Sequence, residues 1–193
     1  NRRTMITYGL IYKIIIVLIF TPFIISNIKR KKGIYYNIVL IGFMVYTVLL
    51  VGILFFPIIY DKNIFFYSDS IEFVNLIPFK TIKETIMTNN PSLIINQILG
   101  NIIIFIPMGF SLPILLTKVK SLSRYFIMIP LISIFIESVQ LLIDLTVIKS
   151  YRYCDIDDII LNTLGGILGI FIFLCANKLF KINKINEKIK ASA

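Results

Sequence analysis

The chain has no histidine, no tryptophan and only two cysteines, and just 16% of its 193 residues are charged. Without His there can be no His-based triad, His general base or His metal site. Two Cys with no CxxC spacing exclude thiolate zinc sites. Cys154 and Cys175 would lie about 31 Å apart along a continuous helix, beyond disulfide reach, so two free thiols are expected. A soluble domain carries roughly 25% charged residues. With 58% hydrophobic residues and a mean hydropathy of +0.89, this chain cannot cover a water-facing surface of ordinary polarity.

The net charge of +10 comes from 20 Lys and Arg against 10 Asp and Glu. Many basic proteins bind nucleic acid. Here the cations instead flank apolar blocks, at Lys29-Arg30-Lys31-Lys32, at Lys118, Lys120 and Arg124, and from Lys178 to Lys190. That is the pattern of membrane spans, so the expected partner is the lipid bilayer and not a nucleic acid. Five blocks reach the roughly 20 residues that a spanning helix needs: about Ile6 to Ile28, Gly33 to Tyr60, Ser92 to Thr117, Leu122 to Ile143 and Asp157 to Asn177. Ser26-Asn27-Ile28-Lys29 does not resemble a signal-peptide cleavage site. The predicted fold class is an all-α polytopic bundle. Its expected units are a first span with a basic loop (1–33), a membrane domain (34–176) and a basic tail (177–193). No internal repeat or low-complexity segment is visible.

Orientation follows from the distribution of Lys and Arg. Alternate sides of five spans hold 8 and 12 of them. The richer side carries the 29–32 and 118–124 loops and the tail, and is expected in the cytoplasm. The 61–91 and 144–156 loops are then expected outside.

Polar residues at membrane depth are costly and tend to face the bundle interior in a working role. In the third block Gln97 and Asn101 are four apart and share a helix face, and Asn96 lies beside them. Pro107 and Pro113 leave two carbonyls without helical donors, so this helix is expected to be bent or broken. In the fourth block Glu137, Gln140 and Asp144 fall on one stripe. A carboxylate near mid-membrane costs on the order of 3 kcal/mol, and Arg152 is the nearest candidate partner for Glu137. The fifth block opens with Asp155, Asp157 and Asp158. One of them, Asp155, can cap the helix, but capping does not need three. Asp158 and Asn162 share a face. Gly165, Gly166 and Gly169 offer a surface for close helix approach. In the 61–91 loop, Asn75-Leu76-Ile77-Pro78-Phe79 is apolar, and Lys80 to Ile86 reads as a short amphipathic helix lying on the membrane or capping the bundle. Glu137, Gln140, Arg152, Asp155, Asp158, Asn162 and Asn101 are expected to converge in one pocket, with the backbone around Pro107 as its floor.

Four of these stretches, in order, resemble the VanZ-like family, named for a teicoplanin-resistance membrane protein. They are Asn75-Leu76-Ile77-Pro78-Phe79-Lys80-Thr81; Asn96 with Gly100-Asn101 and Phe105-Ile106-Pro107-Met108-Gly109; Ser133 with Ile136-Glu137 and Gln140; and Arg152 through Asp158 followed by Asn162-Thr163-Leu164-Gly165-Gly166 and Gly169. Tyr153-Cys154 departs from the apolar pair more usual there. The resemblance implies a bacterial envelope protein linked to lower susceptibility to teicoplanin-like glycopeptides, with no settled chemistry and no known cofactor. Three functions stay open. An outer polar face could engage a surface lipid, a lipid-linked cell-wall precursor or a lipoglycopeptide. A membrane enzyme could use Glu137, Asp155, Asp157 and Asp158 as acid-base groups or as oxygen ligands for a divalent cation, although no activated nucleophile is visible. A small transporter could use broken helices with buried carboxylates.

Overall fold

The structure is a computed structural model and describes residues 4–6, 9–29, 33–56, 58–60, 74–116, 119, 121–147 and 154–180. Five of its helices are long and apolar enough to cross a membrane. They are α1 (Leu10–Lys29), α2 (Ile34–Phe55), α4 (Pro91–Leu115), α5 (Leu122–Val147) and α6 (Ile156–Phe180). A short helix, α3 (Lys80–Met87), precedes α4. The expected all-α polytopic class is what is found, with two minimal strand pairs added. Strand β1 (Thr4–Ile6) pairs antiparallel with β2 (Ile58–Tyr60). Strand β3 (Val74–Asn75) pairs in parallel with β4 (Cys154–Asp155).

The helix boundaries have local causes. The second block ends at Phe55 and not at Tyr60. Phe56 is extended (φ −126°, ψ 152°), as expected of a residue before proline. Helix α4 begins at Pro91, a favoured first position, and the Asn90 Oδ1 accepts the Ser92 N–H at 3.1 Å. At its other end the Tyr36 hydroxyl donates to the Leu115 carbonyl, and the Tyr125 hydroxyl donates to those of Leu116 and Val119. Carbonyls that a helix end leaves open are thus met inside the bundle.

Of the two forms expected for helix α4, bent or broken, the broken one is not found: the α-helical stretch Gly100–Leu115 runs through Pro107 and Pro113. Neighbouring spans can support a proline-containing helix in a membrane, and the Tyr46 hydroxyl of α2 donates to the Ile104 carbonyl at 2.8 Å. The irregularity lies upstream, where Ile94–Leu99 forms π turns.

The core lies between α2, α4, α5 and α6. It holds Leu50, Leu54, Phe105, Met108, Leu112, Tyr125, Ile129, Ile136 and Ile170. Helix α1 packs on α2 and otherwise exposes Ile, Leu and Phe. The closest seam is α4 against α6. A Cβ on Gly165 would overlap the Ile102 carbonyl, one on Gly169 the Ile106 carbonyl, and one on Gly109 the Gly166 carbonyl. A Cβ on Gly166 would strike the Ile129 side chain of α5. The glycines therefore bring α4 onto α6 with backbones in contact, and let the Ile129 side chain of α5 reach the α6 backbone.

Candidate functional site

At one end of this seam the helices enclose a cavity of about 370 Å³. Helices α2 through α6 contribute Leu54, Thr81, Gln97, Glu137 and Asp158, among others. Of the seven residues expected to converge, Asn101, Glu137, Gln140, Asp155, Asp158 and Asn162 line it together. The seventh, Arg152, lies outside the described residues, as does any ion pair it makes with Glu137. Pro107 does not line the cavity.

The three aspartates divide their work. Asp155 caps α6, its Oδ1 accepting the Asp157 N–H at 2.9 Å. It also accepts from the Asn75 amide at 3.1 Å and from the Thr81 hydroxyl. Asp157 is 1% exposed. It reaches across to the start of α3 and accepts the Phe79 N–H at 2.5 Å and the Ile82 N–H at 3.0 Å. A carboxylate thus sits where open N–H groups and the helix dipole favour negative charge. Asp158 points to α4 and accepts from the Asn101 amide. Two of the three aspartates hold the roof of the cavity, and the third joins its two walls.

That roof is α3. Thr81, Ile82 and Thr85 line the cavity, while Ile86 and Met87 are exposed. Ile82 and Ile86, four apart, therefore do not share an environment. The turn into α3 is tight. Asn75 Oδ1 accepts the Ile77 N–H at 3.2 Å, and Phe79 is left-handed (φ 65°). Asn75, Pro78 and Phe79 do not line the cavity themselves. Asn75 ties Thr81 to Asp155, Phe79 contributes its backbone N–H, and Pro78 is exposed.

The wall from α5 holds Glu137, 3% exposed, and Gln140, whose amide donates to the Leu54 carbonyl at 2.9 Å. Asp144, on the same stripe, is buried but does not line the cavity. Asn162 is 2% exposed, and its Oδ1 is a buried acceptor without a partner. Ser133, one turn from Glu137, also has a buried hydroxyl without a partner.

Of the further lining residues, the sequence singles out Gln97 by its spacing to Asn101, gives Thr81 only within the 75–81 motif, and does not mark Thr85. Gln97 accepts from the Thr85 hydroxyl at 2.8 Å and closes the roof onto α4. The i, i+4 spacing of Gln97 and Asn101 was the available signal. Nothing in the uncharged α2 signals that Ile53 and Leu54 also line the cavity.

Cys154 and Cys175 are free thiols. Burial, then Glu137, Asp155 and Asp158, pushes the Cys154 thiol above its ordinary value. Among the described residues, no three His, Cys, Asp or Glu side chains are placed to hold a metal ion.

Comparison with curated proteins and with solved structures found no match. A model of the VanZ/LLP1 family matches residues 43–180, from the middle of α2 to the end of α6. That span contains every cavity-lining residue and the whole glycine seam. The chain is therefore a multi-pass membrane protein, with five apolar spans among its described residues, and it belongs to the VanZ/LLP1 family.

Proposed function

We propose that the protein is an envelope component whose cavity faces outward and engages the polar part of a surface lipid or of a lipid-linked cell-wall precursor. The outward direction rests on the excess of Lys and Arg in the 29–32 and 118–124 loops and the tail. One observation carries the reading: an otherwise apolar bundle keeps a cavity of about 370 Å³ lined by Thr, Asn, Gln, Glu and Asp side chains from four helices. The size suits a small ligand or headgroup, since ligand pockets hold about 300–1,000 Å³. Occupying such a ligand at the membrane surface would lower susceptibility to teicoplanin-like glycopeptides, the association that the family name carries.

A photoreactive residue at Ile98, which lines the cavity, tests this in intact cells. The expected result is a lipid or lipid-linked adduct that decreases in Glu137→Gln while folded protein is retained. The control position is Ile103, exposed on the bundle surface. Adducts at Ile103 with none at Ile98 would overturn the reading.

A further inference from the structure

We propose that the roof of the cavity, α3 with the turn before it, is seated in the bilayer interface, its outer side chains among lipids at the boundary of headgroups and acyl chains. The proposal goes beyond the ligand reading above and stands whether or not the cavity is filled. Its first support is how the roof distributes its side chains. A helix that covers a bundle against water turns its apolar side inward and its polar side outward. This roof does largely the reverse. Asn75, Thr81, Thr85 and the backbone N–H groups of Phe79 and Ile82 are used inward, on Asp155, Asp157 and Gln97. Leu76, Ile77, Phe79, Ile86 and Met87 are turned outward, each more than half exposed. Single exposed apolar residues are ordinary, but a group of them within the stretch 76–87 marks an interaction surface. Lys83 and Glu84 share the exposed side, as charged residues do on a helix that lies in the interface and not in the hydrocarbon.

The second support is depth. Helix α4 has 25 residues from Pro91 to Leu115, about 37 Å at 1.5 Å per residue. The hydrocarbon core is about 30 Å thick, so a centred α4 overhangs it by about 4 Å at each end. Gln97 lies six residues from Pro91, about 9 Å along the helix. The bond between Thr85 and Gln97 therefore holds the roof beside the first turns of α4, at the level of the boundary and not above the ends of the spans. Leu93, Ile95 and Leu99, on the helix that α3 leads into, are exposed as well. Three rivals compete for the outward face: water, a second copy of this chain, and the chain's own 61–73 segment, which lies outside the described residues. Lipid is favoured because it surrounds the spans and reaches this level without a further partner. Lipid contact and the bonds to Asp155 and Asp157 then hold opposite faces of one cover, and the interfacial lipid takes part in keeping the cavity closed.

The chain has no tryptophan, so Leu76→Trp and Met87→Trp each place a single fluorophore on the outward face. Both side chains are exposed, and either variant alone carries the test if the other folds poorly. The full chain is held in phosphatidylcholine nanodiscs whose acyl chains carry bromine either next to the glycerol or near the chain ends. Iodide is the aqueous quencher. Ile103→Trp, exposed near the middle of α4, is the control for lipid contact in the core. At positions 76 and 87, bromine next to the glycerol is expected to quench at least about twofold, since interfacial helices bury their apolar face about 5–10 Å into this boundary. Bromine near the chain ends is expected to quench less, the reverse of Ile103→Trp, and iodide to act weakly. Strong iodide quenching without bromine quenching places the roof in water and overturns the proposal. Resistance to both quenchers shows a protein cover, from a second copy or from the 61–73 segment, and also overturns it. Neither result touches the ligand reading, which the adduct at position 98 tests.

Discussion

Helices α4 and α6 meet twice, in two different ways. Along the seam of Gly109, Gly165, Gly166 and Gly169 the backbones touch and no side chain lies between them. Nearer the cavity, from Asp158 to Asn162, the same two helices face each other through polar side chains, with Asn101 reaching Asp158. Less than one turn, from Asn162 to Gly165, separates the two regimes. The seam has a single geometry, because a Cβ at any of three positions would overlap a carbonyl. The cavity is adaptable, because its walls are joined by hydrogen bonds and enclose free volume. A rigid seam thereby sets the rotation of both helices, and that rotation decides which polar residues face each other above it.

The comparison can be broken most severely at the seam. Gly165→Val is expected to destabilise the protein by about 3 kcal/mol or more, since overpacking against backbone cannot be relieved by a rotamer change. Thermal unfolding and the yield of monodisperse protein in detergent check this. The cavity should tolerate more. Asp157→Asn leaves one acceptor oxygen where Phe79 and Ile82 used two, and should cost about 1–2 kcal/mol. Hydrogen exchange should then rise at residues 79–82 and remain unchanged at 102–109. A change at 102–109 would mean that roof and seam are one unit. Tyr46→Phe removes the hydroxyl on the Ile104 carbonyl and should cost about 1 kcal/mol, measured as a lower unfolding temperature with the cavity adduct at position 98 retained. The smallest effect is on Cys154. Its raised thiol should alkylate more slowly at mildly alkaline pH than an ordinary cysteine, with the rate rising at higher pH. Glu137→Gln removes one carboxylate that holds the thiol protonated, so it should speed alkylation at fixed pH, read with a thiol-reactive dye. An unchanged rate would disconnect Cys154 from the cavity's charge.

The five spans were legible because hydrophobic runs of the required length leave few alternatives. The cap on Asp155 was legible because it is local. The convergence of Glu137, Asn101 and Asp158 followed from depth along each helix. The partners were not legible. Gln140 bonds a main-chain carbonyl of Leu54, and any residue type would present that carbonyl. Asn96, a candidate on its polarity, lines the cavity together with Gln97 and Asn101, but the π turns of Ile94–Leu99 around it had no signal in the sequence. The prolines pointed to a bend or break in α4, but the helix runs unbroken through both of them and its π turns lie upstream, at Ile94–Leu99.

The bonds from Asp155 and Asp157 to the start of α3 span 74 to 80 residues of sequence. A ribosome adding about 5–20 residues per second exposes the acceptors some 4–16 s after their donors. Until the last span is inserted, the roof is tied to the bundle only by its Thr85–Gln97 bond to α4, and the cavity lacks the wall that α6 supplies. The newborn protein thus passes through an interval in which a chain truncated before its final helix would be membrane-inserted yet open at one end, a state that a surveillance protease could distinguish from the finished molecule.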